Sequence, residues 1–178
     1  MAEIKSSAKH PPSRLKRPAP LSAEHDLSTF DCGEPILNDW LRQRALKNES
    51  RFSRTYVVCD GNQVVAYYCV SAGSVERNAL PGKLRRSAPD TIPISVIGRL
   101  AVSRDYAGKG LGADILLDAL RRIAAASRSI GIRAVLVHAK DENAKRFYLK
   151  CADFVEYPEH SYTLFLPLEA VVAAFNEC

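Results

Sequence analysis

The sequence has no run of apolar residues long enough to cross a bilayer, and its basic N-terminal residues are not followed by the apolar stretch of a secretory signal. It also has no Cys-x-x-Cys pair, because its five cysteines are spread over positions 32, 59, 69, 151 and 178. Such an odd, scattered set argues against a disulfide framework and against a zinc site, and it is typical of reduced thiols. We therefore expect a cytoplasmic protein without a metal or a membrane partner, in which Cys59 and Cys69 fill buried strand positions.

The residues that are present describe one globular domain with a basic surface. The chain has 178 residues, of which 47% are hydrophobic, and this is enough for a single core without disulfides or metals. Much of the positive charge lies in residues 1–20, 42–54 and 76–90. Basic clusters favour a polyanionic partner such as nucleic acid, although they also serve simply to keep a protein soluble. The prolines and basic residues of 1–20 predict a flexible arm, so that the folded domain covers 21–178.

Apolar spacing and turn residues predict an α/β fold (α+β in the sense of a mixed sheet) with helices on both faces of a central sheet. The predicted elements, in chain order, are a helix from Pro35, a hairpin that turns at Asp60-Gly61, a long connection over 74–93, a strand over 94–102, a helix from Leu111, a buried strand over 133–139, a helix capped by Asp141, two closing strands and a short C-terminal helix. The buried faces of the two long helices are predicted to contain Leu37, Trp40, Leu41 and Ala45 in the first, and Leu111, Ile115, Leu116, Ala119, Leu120 and Ile123 in the second.

Three alternate glycines, Gly108, Gly110 and Gly112, stand between the strand and the long helix. Glycine lets backbone N–H groups approach a ligand closely, and the N-terminus of a helix favours an anion, so the pattern indicates a pyrophosphate site. The dinucleotide fingerprint G-x-G-x-x-G and the P-loop ending G-K-[ST] both fail to match. From the glycines alone, a tight turn that only lets helix and strand pack remains the alternative.

The segment around these glycines, followed by "DENAKRFYLKCADFVEY", resembles the GNAT acetyltransferase family. The phosphate motif of that family, [RQ]-x-x-G-x-[GA], matches 107–112 except that Ala107 stands where Arg or Gln is usual. The resemblance implies the GNAT fold, an acyltransferase activity and acetyl-CoA as the cofactor. It implies cofactor contacts from Leu100, Ala101, Val102, Gly108, Lys109, Gly110, Leu111, Gly112, Ala113, Asn143 and Phe147.

A narrower resemblance extends over the domain and concerns the GNAT toxins of bacterial type II toxin–antitoxin systems. It is carried by "FDCGEPILNDWLRQRALKNESRFSRTYVVCD" and "YTLFLPL", with 49–52 departing from the usual sequence. The resemblance implies acetylation of the α-amino group of aminoacyl-tRNA, which blocks translation. It also implies a homodimer, a ribbon-helix-helix antitoxin, and operator DNA bound only through the complex with that antitoxin. Candidate tRNA contacts are Arg77, Arg85, Arg86 and Trp40, the last of which is also explained as a core anchor of its helix.

The mechanism predicted from the residues is direct attack of an amine on the thioester. A free α-amino group has a pKa of about 7.7–8.0, and esterification to tRNA should lower it further by electron withdrawal, so such an amine is largely neutral at cellular pH and needs positioning more than a strong base. No Asp or Glu stands in 94–102 to act as one. Tyr148 is the candidate general acid for the departing thiolate, with a core aromatic as the alternative, and a backbone N–H at a bulge near Val102 would hold the oxyanion. His138 is interpreted as a satisfied core histidine and His160 as a loop residue.

Two other functions remain open at this point. The first is acetylation of a small amine or of a protein N-terminus, which a reaction rate that does not depend on salt would support. The second is a toxin–antitoxin component that acts mainly by binding its partner and operator DNA, which failure of the protein to bind acetyl-CoA would support.

Overall fold

The fold is built on a seven-stranded mixed sheet. The computed structural model describes residues 14–157 and 159–176. The strands follow the order β1-β2-β3-β4-β5-β7-β6 across the sheet. β4 and β5 pair in parallel, and the other neighbours pair antiparallel. The strands are β1 Ala19–Pro20, β2 Arg54–Asp60, β3 Gln63–Glu76, β4 Thr91–Val102, β5 Ala134–His138, β6 Val155–Tyr157 and β7 His160–Pro167.

Helices cover both faces of the sheet, as the sequence predicts. They are α1 Pro35–Trp40, α2 Leu46–Asn48, α3 Gly82–Arg85, α4 Leu111–Ala126, α5 Glu142–Cys151 and α6 Leu168–Asn176. A π-helical turn, Leu41–Ala45, joins α1 to α2 without a break, so the two form one continuous helical segment. Within the described ranges, no helix is both long enough and apolar enough to span a membrane.

The core is divided between the two faces of the sheet. On one face, α4 buries the six apolar residues that its spacing predicts, together with Tyr148 of α5. On the other face, Trp40, Leu41 and Ala45 pack against the β2–β3 hairpin, as predicted. Cys59 and Cys69 are 4% and 3% exposed, which confirms that they fill buried positions.

A bulge at Gly98 separates β4 from β5. Cys69 of β3 pairs with Arg99 and the next residue, Val70, pairs with Ile97, so Gly98 is the extra residue of β4. β5 pairs with β4 only over Ile94–Ile97, and beyond the bulge the two strands part. The bulge predicted near Val102 is therefore wrong by four positions, because the register of β4 against β3 places the extra residue earlier.

Two predicted boundaries are corrected by strand pairing. β3 and β4 remain paired out to Glu76 and Thr91, so the long connection shortens from 74–93 to 77–90, which contains a 3₁₀ turn and α3. Residues 14–20 of the predicted arm run beside β2, where Ala19 and Pro20 pair with Val57 and Tyr56. That part of the arm belongs to the sheet, and residues 1–13 lie outside the described residues.

Candidate active site

The three alternate glycines form an open cradle at the start of α4. Gly108 and Gly110 have φ angles of +73° and +86°, a left-handed conformation that favours glycine. A Cβ atom at either position would meet nothing within 4 Å, so the space in front of the cradle is open. No side chain caps this helix, and the N–H groups of its first turn, at Leu111, Gly112 and Ala113, point out of the helix end. These groups and the helix dipole suit a phosphate or pyrophosphate.

A cavity of about 690 Å³ opens from the cradle and follows the free part of β4. Eight of the predicted cofactor contacts line it, namely Leu100, Ala101, Val102, Gly108, Gly110, Gly112, Ala113 and Phe147. The cavity also includes Tyr106, Lys150 and Cys151, which the sequence analysis missed. Lys150 and Cys151 lie three and four positions after Phe147, so helical spacing is a signal that could have found them.

Three predicted contacts do not have side chains at this cavity. The Lys109 ammonium lies 3.2 Å from the carbonyl of Asp105 and 5.8 Å from the ring centre of Tyr106, outside the cavity wall. The Leu111 side chain is 9% exposed and packs in the core, so only its backbone faces the cradle. Asn143 is exposed on the first turn of α5. Spacing alone does not distinguish a residue at a site from its neighbour one helical step away.

Tyr148 is a buried aromatic residue of α5. Asp141 caps this helix by accepting a hydrogen bond from the N–H of Ala144 at 2.8 Å, as predicted. The Tyr148 ring is 7% exposed and packs edge-on against Phe147 and Phe154. Burial raises the pKa of Tyr148 to about 12, with smaller contributions from the thiols of Cys151 and Cys69. The phenol therefore stays protonated at neutral pH and can donate a proton.

A loop before α1 contacts the chain just after β4 and just after β5, the two strands that part beyond the bulge. The carbonyl of Asp31 accepts hydrogen bonds from the Ser103 hydroxyl at 3.2 Å and from the Arg104 N–H at 2.8 Å, just after β4. Glu34, three residues on, forms a 2.5 Å ion pair with Lys140, just after β5. We call residues 31–34 the bridging loop. It fixes the segment that leads to the cradle and the segment that leads to α5.

A second cavity, of about 310 Å³, lies on the opposite face of the sheet. His138 and His160 line it, and both differ from their interpretation as core and loop residues. His138 is exposed at the end of β5, where its Nδ1 lies 3.1 Å from the Thr163 hydroxyl. His160 begins β7 and stacks on Tyr157. The strand pairing of β5 with β7 brings them together, and sequence spacing does not reveal this.

The candidate tRNA contacts divide into exposed and buried residues. Arg85 and Arg86 are exposed at the end of α3, whereas Arg77 forms a 3.2 Å ion pair with Asp90. Trp40 is 9% exposed, stacks on Tyr67 and has the Arg99 guanidinium 4.2 Å from its ring centre. An RNA base cannot stack on a ring that is covered in this way, so the core-anchor interpretation of Trp40 replaces the contact prediction.

Fold and site together define a coenzyme A-dependent acyltransferase. Beyond the bulge, the edge of β4 over Arg99–Val102 has no partner in β5, and an extended chain of amides can pair with it. The cradle at the start of α4 suits the pyrophosphate to which such a chain is attached in coenzyme A. The residues present therefore fit the cofactor on the chemistry of their donor groups.

The sequence pattern described as "Acetyltransferase (GNAT) domain" matches residues 51–152, and the chain belongs to this family. The tRNA-acetylating toxin of Mycobacterium tuberculosis (strain ATCC 25618 / H37Rv) is 44% identical over 138 residues, which cover 77% of this chain and 83% of that protein. The structure of AtaT complexed with acetyl-methionyl-tRNAfMet is 32% identical with a TM-score of 0.83, over 90% of this chain and 99% of that one. A mutant AtaT toxin bound to the C-terminus of the antitoxin AtaR and acetyl-CoA is 30% identical with a TM-score of 0.78, over 91% and 98%.

Proposed function

We propose that this chain is a toxin that uses acetyl-CoA to acetylate the α-amino group of aminoacyl-tRNA and so blocks translation. The observation that carries the proposal is the cradle at the start of α4, whose cavity follows the free edge of β4. The relatives named above, a tRNA-acetylating toxin and an AtaT complex with acetylated aminoacyl-tRNA, support the acceptor.

Each part of the cavity has a task in binding the cofactor. The N–H groups of Gly112 and Ala113 would donate to its pyrophosphate, and the backbone of Leu100–Val102 would pair with its amide arm. Acetyl-CoA, when bound, supplies the acetyl group as an activated thioester. The side chain of Phe147, whose ring atoms lie 3.4–3.5 Å from a Cβ built on Gly112, would close the cavity over the arm and exclude water.

Proton transfer is assigned to Tyr148. A neutral amine attacks the thioester carbonyl, a C–N bond forms, the C–S bond breaks, and the thiolate takes a proton from the phenol while the amine loses one to water. The Tyr148 phenol is protonated at neutral pH and so has a proton to donate, and the burial that raises its pKa makes it a weaker acid than a free tyrosine. No carboxylate on 94–102 is needed as a strong base, since esterification to tRNA lowers the pKa of the α-amino group below its free value of about 7.7–8.0 and leaves much of it neutral.

The remaining partners follow the same proposal. Arg77, Arg85 and Arg86, on the segment between β3 and β4, would contact tRNA phosphates. An antitoxin partner is supported by the AtaR complex of AtaT. We extend the proposal to a homodimer in the cytoplasm, to a ribbon-helix-helix antitoxin, and to operator DNA bound through the antitoxin complex.

The experiment incubates the protein with labelled acetyl-CoA and a mixed pool of charged tRNAs and measures label on the RNA. We expect label that requires the amino acid, falls as salt rises, and drops about 100-fold or more in Tyr148→Phe, the usual size of a general-acid contribution. Uncharged tRNA is the control for the acceptor, and the acetyl-CoA dissociation constant of Tyr148→Phe is the control for folding. Acetyl-CoA binding without labelled tRNA would indicate a small-amine or protein acetyltransferase instead, and absence of acetyl-CoA binding would contradict an enzyme.

A further inference from the structure

The turn between α2 and β2 presents an aromatic side chain to solvent. Phe52 is 72% exposed, which makes it the most exposed aromatic residue of the described chain. Arg51, which precedes it, is exposed as well. A single exposed ring needs no function by itself, so the backbone and the charges around Phe52 decide its role.

Hydrogen bonds define the backbone of this turn. The carbonyl of Asn48 accepts from the N–H groups of Arg51 at 3.0 Å and Phe52 at 2.9 Å. The carboxylate of Glu49 accepts from the N–H of Thr55, the second residue of β2, at 2.7 Å. The stretch 49–52 is also the one that departs from the usual toxin sequence. Within this departure, Glu49 closes the turn, and Arg51 and Phe52 are displayed by it.

The charges next to the turn are positive and lack acidic partners. Arg44, Lys47 and Arg51 are exposed on α2, the π-helical turn before it and the turn after it. None of the three forms an ion pair with another residue of 14–157 or 159–176. Free cations that follow one another in this way fit a polyanion, because each phosphate that they neutralise releases a counterion.

Both basic segments of the described chain lie on one face of the sheet. Trp40 of α1 packs in one apolar cluster with Cys69 of β3, and Leu84 of α3 packs in another with Val75 of β3. Cys69 and Val75 are six positions apart on one strand, so their side chains point to the same face. The cations of 44–51 therefore lie on the same side of the molecule as the arginines assigned to tRNA above.

The turn also lies close to the point where the free edge of β4 begins. Arg54, the first residue of β2, pairs with Val70, and Val70 pairs with Ile97, the last residue of β4 that pairs with β5. Neighbouring strands are about 4.8 Å apart, so the start of β2 is about 10 Å from this point. A tRNA whose amino acid reaches the thioester therefore passes within reach of Phe52, two residues before Arg54.

We propose that the turn 49–53 is a tRNA contact of this chain, in which Phe52 stacks on an unpaired base and Arg51 binds a neighbouring phosphate. The inference rests on the proposed function, which supplies the RNA. Every base has a face that stacks on an aromatic ring, and unpaired bases are the ones free to do so. A protein partner that covers Phe52 is the alternative, and the unpaired cations beside the ring favour the RNA.

The test measures binding of uncharged tRNA over a range of salt concentrations, because stacking and charge respond differently to salt. We expect Phe52→Leu, which keeps an apolar side chain but removes the ring, to weaken binding about tenfold, in the range for loss of one stacked base. The slope of log K against log salt should stay the same in this variant. Arg51→Gln should instead reduce that slope by about 0.7–0.9, the value for one phosphate contact.

Tyr162→Leu is the matched control for loss of an exposed ring. Tyr162 is 44% exposed and lies two positions from Leu164 on β7, which packs against α4 on the opposite face of the sheet. Arg128→Gln is the control for loss of charge, since Arg128 is exposed just after α4. Both variants should bind tRNA like the unaltered protein, as should Phe52→Tyr, which keeps the ring. The acetyl-CoA dissociation constant of every variant reports whether the fold is intact.

Acetylation of charged tRNA by the unaltered protein is measured beside these assays. If the unaltered protein acetylates and binds tRNA, equal affinity in Phe52→Leu would overturn the inference and leave the proposed function standing. Equal losses in Phe52→Leu and Tyr162→Leu, or a salt slope that Arg51→Gln leaves unchanged, would overturn it in the same way. If the unaltered protein neither binds nor acetylates tRNA, the proposed function fails together with the inference.

Discussion

At the scale of single residues, Gly110 shows how one missing side chain makes a ligand site. A side chain would be strained at its φ of +86°, and its Cβ would occupy the open space in front of the cradle. We predict that Gly110→Ala destabilises the protein by about 1–2 kcal/mol, the cost of the left-handed conformation for an L-residue, and weakens acetyl-CoA binding at least about tenfold. Calorimetric titration and denaturant unfolding measure the two effects.

Gly61→Ala is the matched control for this prediction. Gly61 also has a positive φ, +63°, and open space around it, but it lies in the β2–β3 turn outside the cofactor cavity. It should therefore lose similar stability and keep its affinity for acetyl-CoA. Equal affinity losses in the two variants would mean that backbone strain, not the cradle, controls cofactor binding.

Tyr148 shows why a residue's role was hard to read from the sequence. Its spacing on an amphipathic helix predicts a core aromatic, and the resemblance to a family predicts a general acid. The structure makes the two compatible, because a ring that is buried in the core still carries a protonated phenol at neutral pH, and burial only raises its pKa further. Burial depends on the neighbours of α5 in space, and one-dimensional spacing does not contain them.

At the scale of elements, the bridging loop ties the chain before α1 to the cofactor cavity. The Ser103 hydroxyl donates to the Asp31 carbonyl and also accepts from the Asp31 N–H at 3.4 Å. We predict that Ser103→Ala lowers the free energy of unfolding by about 0.5–1.5 kcal/mol, the net value of a typical hydrogen bond, since it removes the partner of the half-buried Asp31 N–H while the Asp31 carbonyl keeps its bond from the Arg104 N–H. Acetyl-CoA affinity should fall with it, because Ser103 begins the segment that leads to the cradle.

Ser127→Ala is suited to control for loss of a serine hydroxyl. The Ser127 hydroxyl donates to the Ala124 carbonyl at 2.7 Å, at the far end of α4 from the cradle. This variant should bind acetyl-CoA like the unaltered protein. If Ser103→Ala also binds it normally, the bridging loop stabilises the fold without organising the site.

The elements themselves were largely predictable, whereas their register was not. Helix α4 buries the six residues that its spacing predicts, and the hairpin turns at Asp60-Gly61 as expected. Local patterns decide these features, because each depends on residues close in sequence. The bulge at Gly98 depends on how Cys69 and Val70 pair with β4, and the His138–His160 cavity depends on the pairing of β5 with β7. Such long-range pairings have no signature within a single segment.

At the scale of the whole molecule, the sheet separates two cavities. The cofactor cavity lies on the face covered by α4 and α5, and the second cavity lies on the other face. β4 leaves β5 after four paired residues while it stays paired with β3. The bulge at Gly98 lies one residue beyond the last residue of β4 that pairs with β5, so the extra residue marks where the edge of β4 becomes free for the cofactor cavity.

The same packed sheet makes the stability of the protein sensitive to high pH. Burial raises the pKa values of Tyr67, Tyr68 and Tyr148 above the value of about 10 for an unfolded chain. Each tyrosine therefore stabilises the folded state fully below pH 10, and this contribution is lost as the pH rises from there through the folded-state pKa. We predict that the free energy of unfolding falls above pH 10 by up to about 1.4 kcal/mol per pH unit for each tyrosine.

Denaturant unfolding at a series of pH values from 7 to about 11.5 measures this slope. Tyr148→Phe should reduce the slope, because it removes one of the groups that lose their proton more readily in the unfolded chain than in the folded one. Tyr162→Phe should leave the slope unchanged, since Tyr162 is 44% exposed. A free energy that stays constant above pH 10, or an equal change of slope in both variants, would contradict the assignment of the alkaline transition to the buried tyrosines.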